Sequence, residues 1–222
     1  MSGWIFTDGL KDKMKAIIFA IGILYSLFGH SYQLPRDAVL EVYKESKLTA
    51  DVVMIGDSIT WIAPWSDLFA NVNIANRGVS ADSSAAILYR MDSILSTHPK
   101  KAFLMFGIND FLNHIPVDKA FDNYIKIINQ LTQQNIETVV QSTLYCSTEK
   151  LPACYSINLQ VNELNAKLKN YAMNNNLTFI DLNSILSTPK KGLMAKYSPD
   201  GIHVNIEAYK EWAKLIDDKI NS

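Results

Sequence analysis

Five short apolar runs, separated by segments with helical spacing, restrict this chain more than any other feature. Asp51–Ile55, Val72–Ala75, Ala102–Phe106, Thr138–Thr143 and Leu177–Leu182 each have the length and apolar character of a buried strand. Between them, Ser83–Thr97 carries Ala86, Ile87, Met91, Ile94 and Leu95 on one helical face, and Val117–Gln134 carries Phe121, Tyr124, Ile125, Ile128 and Leu131. Pro35–Lys47 and Leu159–Tyr171 read as further amphipathic helices, and Asn205 is suited to cap a last helix through Tyr209, Trp212, Leu215 and Ile216. Strands joined by helices of this length need right-handed crossovers, hence a mostly parallel sheet with both faces covered. The predicted class is α/β, a three-layer α/β/α sandwich forming one domain over residues 32–222.

With 222 residues, 48% of them hydrophobic, the chain can bury a core of that size. Its formal net charge of −1 and lack of a long Lys/Arg run argue against a nucleic-acid-binding face. The N-terminus stands apart. Lys11, Lys13 and Lys15 precede an uncharged apolar stretch from Ala16 to Phe28, and Gly29 and Ser31 supply small residues for cleavage. Residues 1–31 therefore read as a signal peptide, which makes the protein exported, periplasmic or secreted. The alternatives are an uncleaved membrane anchor through residues 16–28, short for a span of ~20 apolar residues, or a buried first helix. In an oxidising compartment Cys146 and Cys154 would pin the turn-rich stretch between them, at roughly 2–3 kcal/mol for so short a loop. In a reducing compartment they would be two free thiols. No CxxC or His-rich cluster suggests a metal site.

Polar blocks sit where the apolar runs end, which is where parallel α/β sheets place their chemistry. They are Gly56-Asp57-Ser58-Ile59-Thr60, Asn76-Arg77-Gly78, Gly107-Ile108-Asn109-Asp110 and Asp200-Gly201-Ile202-His203. A serine hydroxyl needs a base to become a nucleophile, and His203 is the candidate partner for Ser58. Pro199 and Gly201 disfavour a continuous helix, so Asp200 can turn back to the His203 Nδ1 and fix its tautomer. Acyl transfer also needs donors aimed at the developing oxyanion, and the Ser58 N–H, the Gly78 N–H and the Asn109 Nδ2 are suited to that. Asp57, Asp110 and Arg77 read as residues that hold their own turns. His30, His98 and His114 have no acidic partner at a suggestive spacing. Trp61, Trp65 and His114 are candidates to line a substrate site, against packing of the first helix for the tryptophans and simple surface exposure for the histidine.

These four blocks, in this order, resemble the SGNH or GDSL hydrolase superfamily. The similarity covers residues 48–222 and lies nearest the branch that resembles the platelet-activating-factor acetylhydrolase catalytic subunit and lysophospholipase-like esterases, through Asn76-Arg77-Gly78-Val79-Ser80 and Asp200-Gly201-Ile202-His203-Val204-Asn205. The resemblance implies a flavodoxin-like five-stranded sheet of order 2-1-3-4-5. It also implies Ser58 as nucleophile and oxyanion donor, Gly78 and Asn109 as further donors, and His203 oriented by Asp200, with no metal or organic cofactor. Ile108 stands where many members have Thr. The expected function is a serine esterase that removes short acyl groups, acetyl above all, from a glycan or cell-envelope substrate. The alternatives are a lysophospholipase or thioesterase, and a non-catalytic glycan-binding protein presenting Trp61, Trp65 and His114.

Overall fold

The computed structural model describes residues 35–222. The expected leader over residues 1–31 lies outside them. Eighteen elements follow in chain order: helix α1 (Arg36–Glu45), β1 (Val52–Gly56), α2 (Ser58–Ile62), α3 (Trp65–Leu68), β2 (Ile74–Gly78), α4 (Ser84–Tyr89), α5 (Met91–Leu95), β3 (Lys101–Met105), α6 (Ile108–Leu112), α7 (Val117–Gln133), β4 (Glu137–Gln141), α8 (Cys154–Asn174), β5 (Thr178–Ile180), α9 (Asn183–Leu186), the hairpin strands β6 (Ser187–Thr188) and β7 (Gly192–Leu193), a 3₁₀ turn (Ala195–Tyr197), and α10 (Ile206–Ile220). All five long-sheet strands are parallel, in the order β2-β1-β3-β4-β5. Helices flank the sheet, giving the three-layer α/β/α architecture the alternation predicts. Among the described residues no helix is long and apolar enough to cross a membrane.

The central strands β1 (VVMIG) and β3 (KAFLM) are buried along their whole length, as strands covered on both faces must be. Trp65 and Trp212 pack edge to face at 5.2 Å between ring centroids, and the Trp212 indole N–H donates to Gln141 Oε1 at 2.7 Å. On the far side of β3, Phe106 stacks on Tyr124 of α7, whose hydroxyl donates to the Phe106 carbonyl at 2.7 Å. Each aromatic anchor thus closes its one polar group as well as filling volume.

Strand and helix ends shift by one or two residues throughout, and three boundaries differ from the sequence reading by more than that. The second strand was predicted over Val72–Ala75 but runs Ile74–Gly78, because Asn76, Arg77 and Gly78 continue the ladder opposite Met54, Ile55 and Gly56. Arg77 tolerates its buried position because its guanidinium donates to the Ser93 and Asn76 carbonyls and lies over the Tyr43 ring at 4.4 Å. The single helix predicted over Ser83–Thr97 is two, broken at Arg90, whose side chain turns inward to Asp82, the Gly56 carbonyl and the Arg77 carbonyl. The helix predicted over Leu159–Tyr171 starts earlier, at Cys154, whose sulfur is bonded to Cys146 with the Cα atoms 5.5 Å apart.

Candidate active site

β1 delivers Ser58 to the first position of α2 after one connecting residue, Asp57. Asp57 caps that helix, its Oδ1 accepting the Ile59 N–H at 3.0 Å. A five-residue helix has no stability of its own, so its orphan carbonyls are satisfied from outside. The Tyr209 hydroxyl of α10 donates to the Ile59 carbonyl at 2.6 Å, the Trp65 indole N–H donates to the Thr60 carbonyl at 3.0 Å, and the Asn76 Nδ2 donates to the Thr60 and Trp61 carbonyls at 3.0 Å each. Ser58 is thereby fixed and nearly buried, with 7% of its surface exposed.

Ser58 Oγ lies 2.9 Å from His203 Nε2, and His203 Nδ1 lies 2.6 Å from Asp200 Oδ2. The carboxylate accepts, so the proton sits on Nδ1 and Nε2 is left as the acceptor for the serine hydroxyl. Asp200 Oδ1 takes the N–H groups of Ile202 and His203 at 2.9 and 2.8 Å, which closes the turn. Gly201, at φ +94°, allows that turn, and its N–H donates to Ser198 Oγ, which in turn donates to the His203 carbonyl. Burial pushes the Asp200 carboxyl up, but the His203 hydrogen bond and the two N–H groups outweigh it and hold it below the usual carboxylate range. Asp200 stays ionised opposite the imidazole.

The Gly78 amide is not where the sequence reading put it. Its N–H donates to Asn76 Oδ1 at 2.9 Å, inside β2, and a Cβ at Gly78 would lie 2.3 Å from the Trp61 nitrogen. Gly78 is there to let β2 approach the backbone of α2. The loop beyond β2 supplies a different amide. Ala81 adopts a left-handed φ of +61°, an uncommon state for a residue with a Cβ, and its N–H has no acceptor among the described residues. Asn109, at the start of α6, donates one Nδ2 hydrogen to the Asp82 carbonyl at 3.0 Å, which ties it to this same loop, and its second hydrogen has no acceptor among the described residues. Asp82 is itself clamped by Arg90 at 2.6 Å and Arg36 at 2.8 Å. No sequence motif marks Ala81; only its backbone conformation does.

The remaining candidates separate. Trp65 is 2% exposed and belongs to the core, so it presents nothing to a ligand. Trp61 is half-buried, with its carbonyl taken by Asn76. His114 is exposed at φ +58°, without a side-chain partner among the described residues. Asp110 does more than hold its own turn: its carboxylate takes both the N–H and the hydroxyl of Ser84, joining α6 to α4. Among the described residues no group of three or more His, Cys, Asp or Glu side chains is placed to hold a metal ion.

Asp57 is fully buried, and burial pushes its carboxyl up to about 7, against the Ile59 N–H and the His203 charge, which both lower it. The unfolded chain would ionise it near 3.9. Between those values the folded protein binds more protons, so stability falls as pH rises from about 4 to about 7. Asp57→Asn keeps the Oδ1 acceptor and removes the charge. It is expected to gain stability over wild type as pH rises through this window, with a ceiling on the order of 4 kcal/mol at ~1.4 kcal/mol per pH unit. Thermal melts at pH 5 and pH 8 check this; a difference between the two proteins that does not change with pH would refute it.

The sequence model of the GDSL-like lipase/acylhydrolase family matches residues 54–211. Curated relatives named N-acylneuraminate cytidylyltransferase, from Streptococcus agalactiae, include one 27% identical over 206 residues, covering 89% of this chain and 45% of the relative. The chain thus spans less than half the length of those relatives. Among solved structures, a Streptococcus pneumonia protein described as a platelet activating factor superposes with a TM-score of 0.75 at 24% identity, covering 91% of this chain and 99% of the other. An acetyl xylan esterase superposes with a TM-score of 0.64 at 21% identity, covering 76% of this chain and 98% of the other.

Proposed function

We propose that this chain, which belongs to the GDSL-like lipase/acylhydrolase family, is an ester hydrolase that removes short acyl groups, acetyl above all, from a carbohydrate. The observation that carries the mechanism is the continuous line from Ser58 Oγ through His203 to Asp200. Ser58 attacks the ester carbonyl and passes its proton to His203 Nε2, while Asp200 stabilises the imidazolium. The new oxyanion is held by the Ser58 N–H, the Ala81 N–H and the free hydrogen of Asn109 Nδ2. Collapse expels the alkoxide, which takes the proton from His203. Water, deprotonated by the same base, then releases the carboxylic acid and regenerates Ser58.

Two features support a short acyl group on a sugar. β1 and β3 lead into α2 and α6 within one and two residues, which leaves no insertion there from which to build a long-chain channel. Among the similar proteins, two solved structures are named as acetyl xylan or acetyl-xylooligosaccharide esterases and the curated relatives for N-acylneuraminate, all carbohydrates, beside others named as lipases. The apolar, lysine-flanked stretch through residues 16–28 supports export to envelope or extracellular glycans. Hydrolysis of p-nitrophenyl esters of increasing length by the full chain tests the reading. The expected profile is highest kcat/KM for acetate and a fall beyond butyrate. A maximum at eight or more carbons would favour the lysophospholipase reading instead.

A further inference from the structure

A cleft of about 530 Å³ opens beside the catalytic turn, lined by Tyr145, Tyr155, Leu159, Asn162, Asp181 and Lys190 among others, and contains none of Ser58, Asp200 or His203. Its size is that of a small-molecule site. One wall is apolar. Tyr155 and Leu159, one turn apart on α8, are 71% and 62% exposed, on a helix that buries Ile157, Val161, Leu164 and Leu168. Polar groups share the cleft with them, and several have spare capacity. Asn162 Oδ1 accepts from the Tyr145 hydroxyl at 3.0 Å, and its Nδ2 has no partner among the described residues. Asp181 Oδ1 takes the Ser142 hydroxyl and the Asn183 N–H, and its Oδ2 has no partner among the described residues. Lys190 adds a solvent-facing ammonium.

An aromatic and aliphatic platform beside isolated amide and carboxylate groups matches a pyranose, which has an apolar C–H face and a rim of hydroxyls that both donate and accept. We propose that this cleft is an oligosaccharide subsite, holding the sugar chain that carries the ester; this rests on the glycan-esterase reading above. The placement suits an extended ligand. Tyr145 follows β4 and Asp181 follows β5, on the same carboxyl edge of the sheet as Ser58 after β1. With two and three strand steps between them, the ends lie about 10–15 Å apart, a span for several sugar units rather than one. The loop between the bonded Cys146 and Cys154 joins the two sites. Thr148 lines the cleft, and the neighbouring Ser147 N–H donates to the Gly201 carbonyl in the turn that bears Asp200 and His203.

The test uses the full chain with Ser58→Ala, titrated with xylotriose and with tri-N-acetylchitotriose and followed by calorimetry. Neither probe carries an ester. At least one is expected to bind saturably, and Tyr155→Ala and Asn162→Ala, both exposed positions, should each weaken it roughly tenfold, the size of one lost stacking or hydrogen-bonding contact. The same two changes in the Ser58 enzyme should leave p-nitrophenyl acetate turnover unchanged. Absence of binding by both sugars, or binding indifferent to both substitutions, would overturn the subsite while leaving the esterase reading intact. Binding that responds to them in a protein inert toward every ester would keep the subsite and remove the esterase reading.

Discussion

Ser58→Ala and His203→Ala are each expected to lower kcat for p-nitrophenyl acetate by on the order of 10⁴–10⁶, and the double variant should be no worse than either single one. The reason is geometric. In the proposed mechanism Ser58 Oγ bonds the acyl carbon and His203 Nε2, 2.9 Å away, is the base that takes its proton. Once either is gone the other has nothing to act on, so the losses do not add. What survives is the hydrogen-bonding shell around the carbonyl, which by itself leaves a residual rate above water. Neither change empties a core position, since Ser58 loses one small hydroxyl and the His203 side chain is 35% exposed. Melting temperatures should therefore stay near wild type. Additive losses in the double variant, or a Ser58→Ala enzyme within tenfold of wild type, would eliminate the serine mechanism.

Asn109→Ala is expected to cut kcat by roughly 10²–10³ with KM nearly unchanged, equivalent to about 2.7–4 kcal/mol of lost oxyanion stabilisation. The free Nδ2 hydrogen of Asn109 is proposed to meet charge that exists only in the transition state, so ground-state binding should not register its removal. The other Nδ2 hydrogen holds the Asp82 carbonyl, and thus the loop that presents the Ala81 N–H. Part of the loss will therefore come through Ala81, and Asn109→Asp, which accepts but cannot donate, should be at least as impaired. Steady-state kinetics on acetate esters separates the outcomes. A rise in KM with kcat preserved would place Asn109 in substrate binding and not in oxyanion stabilisation.

Most of the fold can be read from the chain. Apolar runs fixed the number of main strands, because a strand buried on both faces must be apolar throughout, and the helices between them implied the parallel sense; the sheet order came from the family resemblance. Boundaries failed where side chains from elsewhere rewrite the backbone. Arg90 breaks a helix because Asp82 and two carbonyls draw it inward, and Arg77 stays in a strand because Tyr43 and Ser93 receive it. The short elements α3, α6, α9 and the β6–β7 hairpin have too few residues to show a period.

For the site, the chain by itself determined which chemical groups are present and which are near each other locally. Ser58 follows an apolar run, and Asp200 and His203 share a turn whose spacing lets one carboxylate take two backbone N–H groups and a ring nitrogen. Tertiary structure decided what lies opposite them. It brings His203 to Ser58 across 145 positions of sequence, closes the Gly78 amide against Asn76, and turns the Ala81 amide free. The physical reason is that a side chain's chemistry is carried by its identity, whereas the availability of a backbone N–H depends on every acceptor the folded chain places around it. No motif records those acceptors, and a glycine in a polar block does not reveal whether its amide faces a substrate or its own strand.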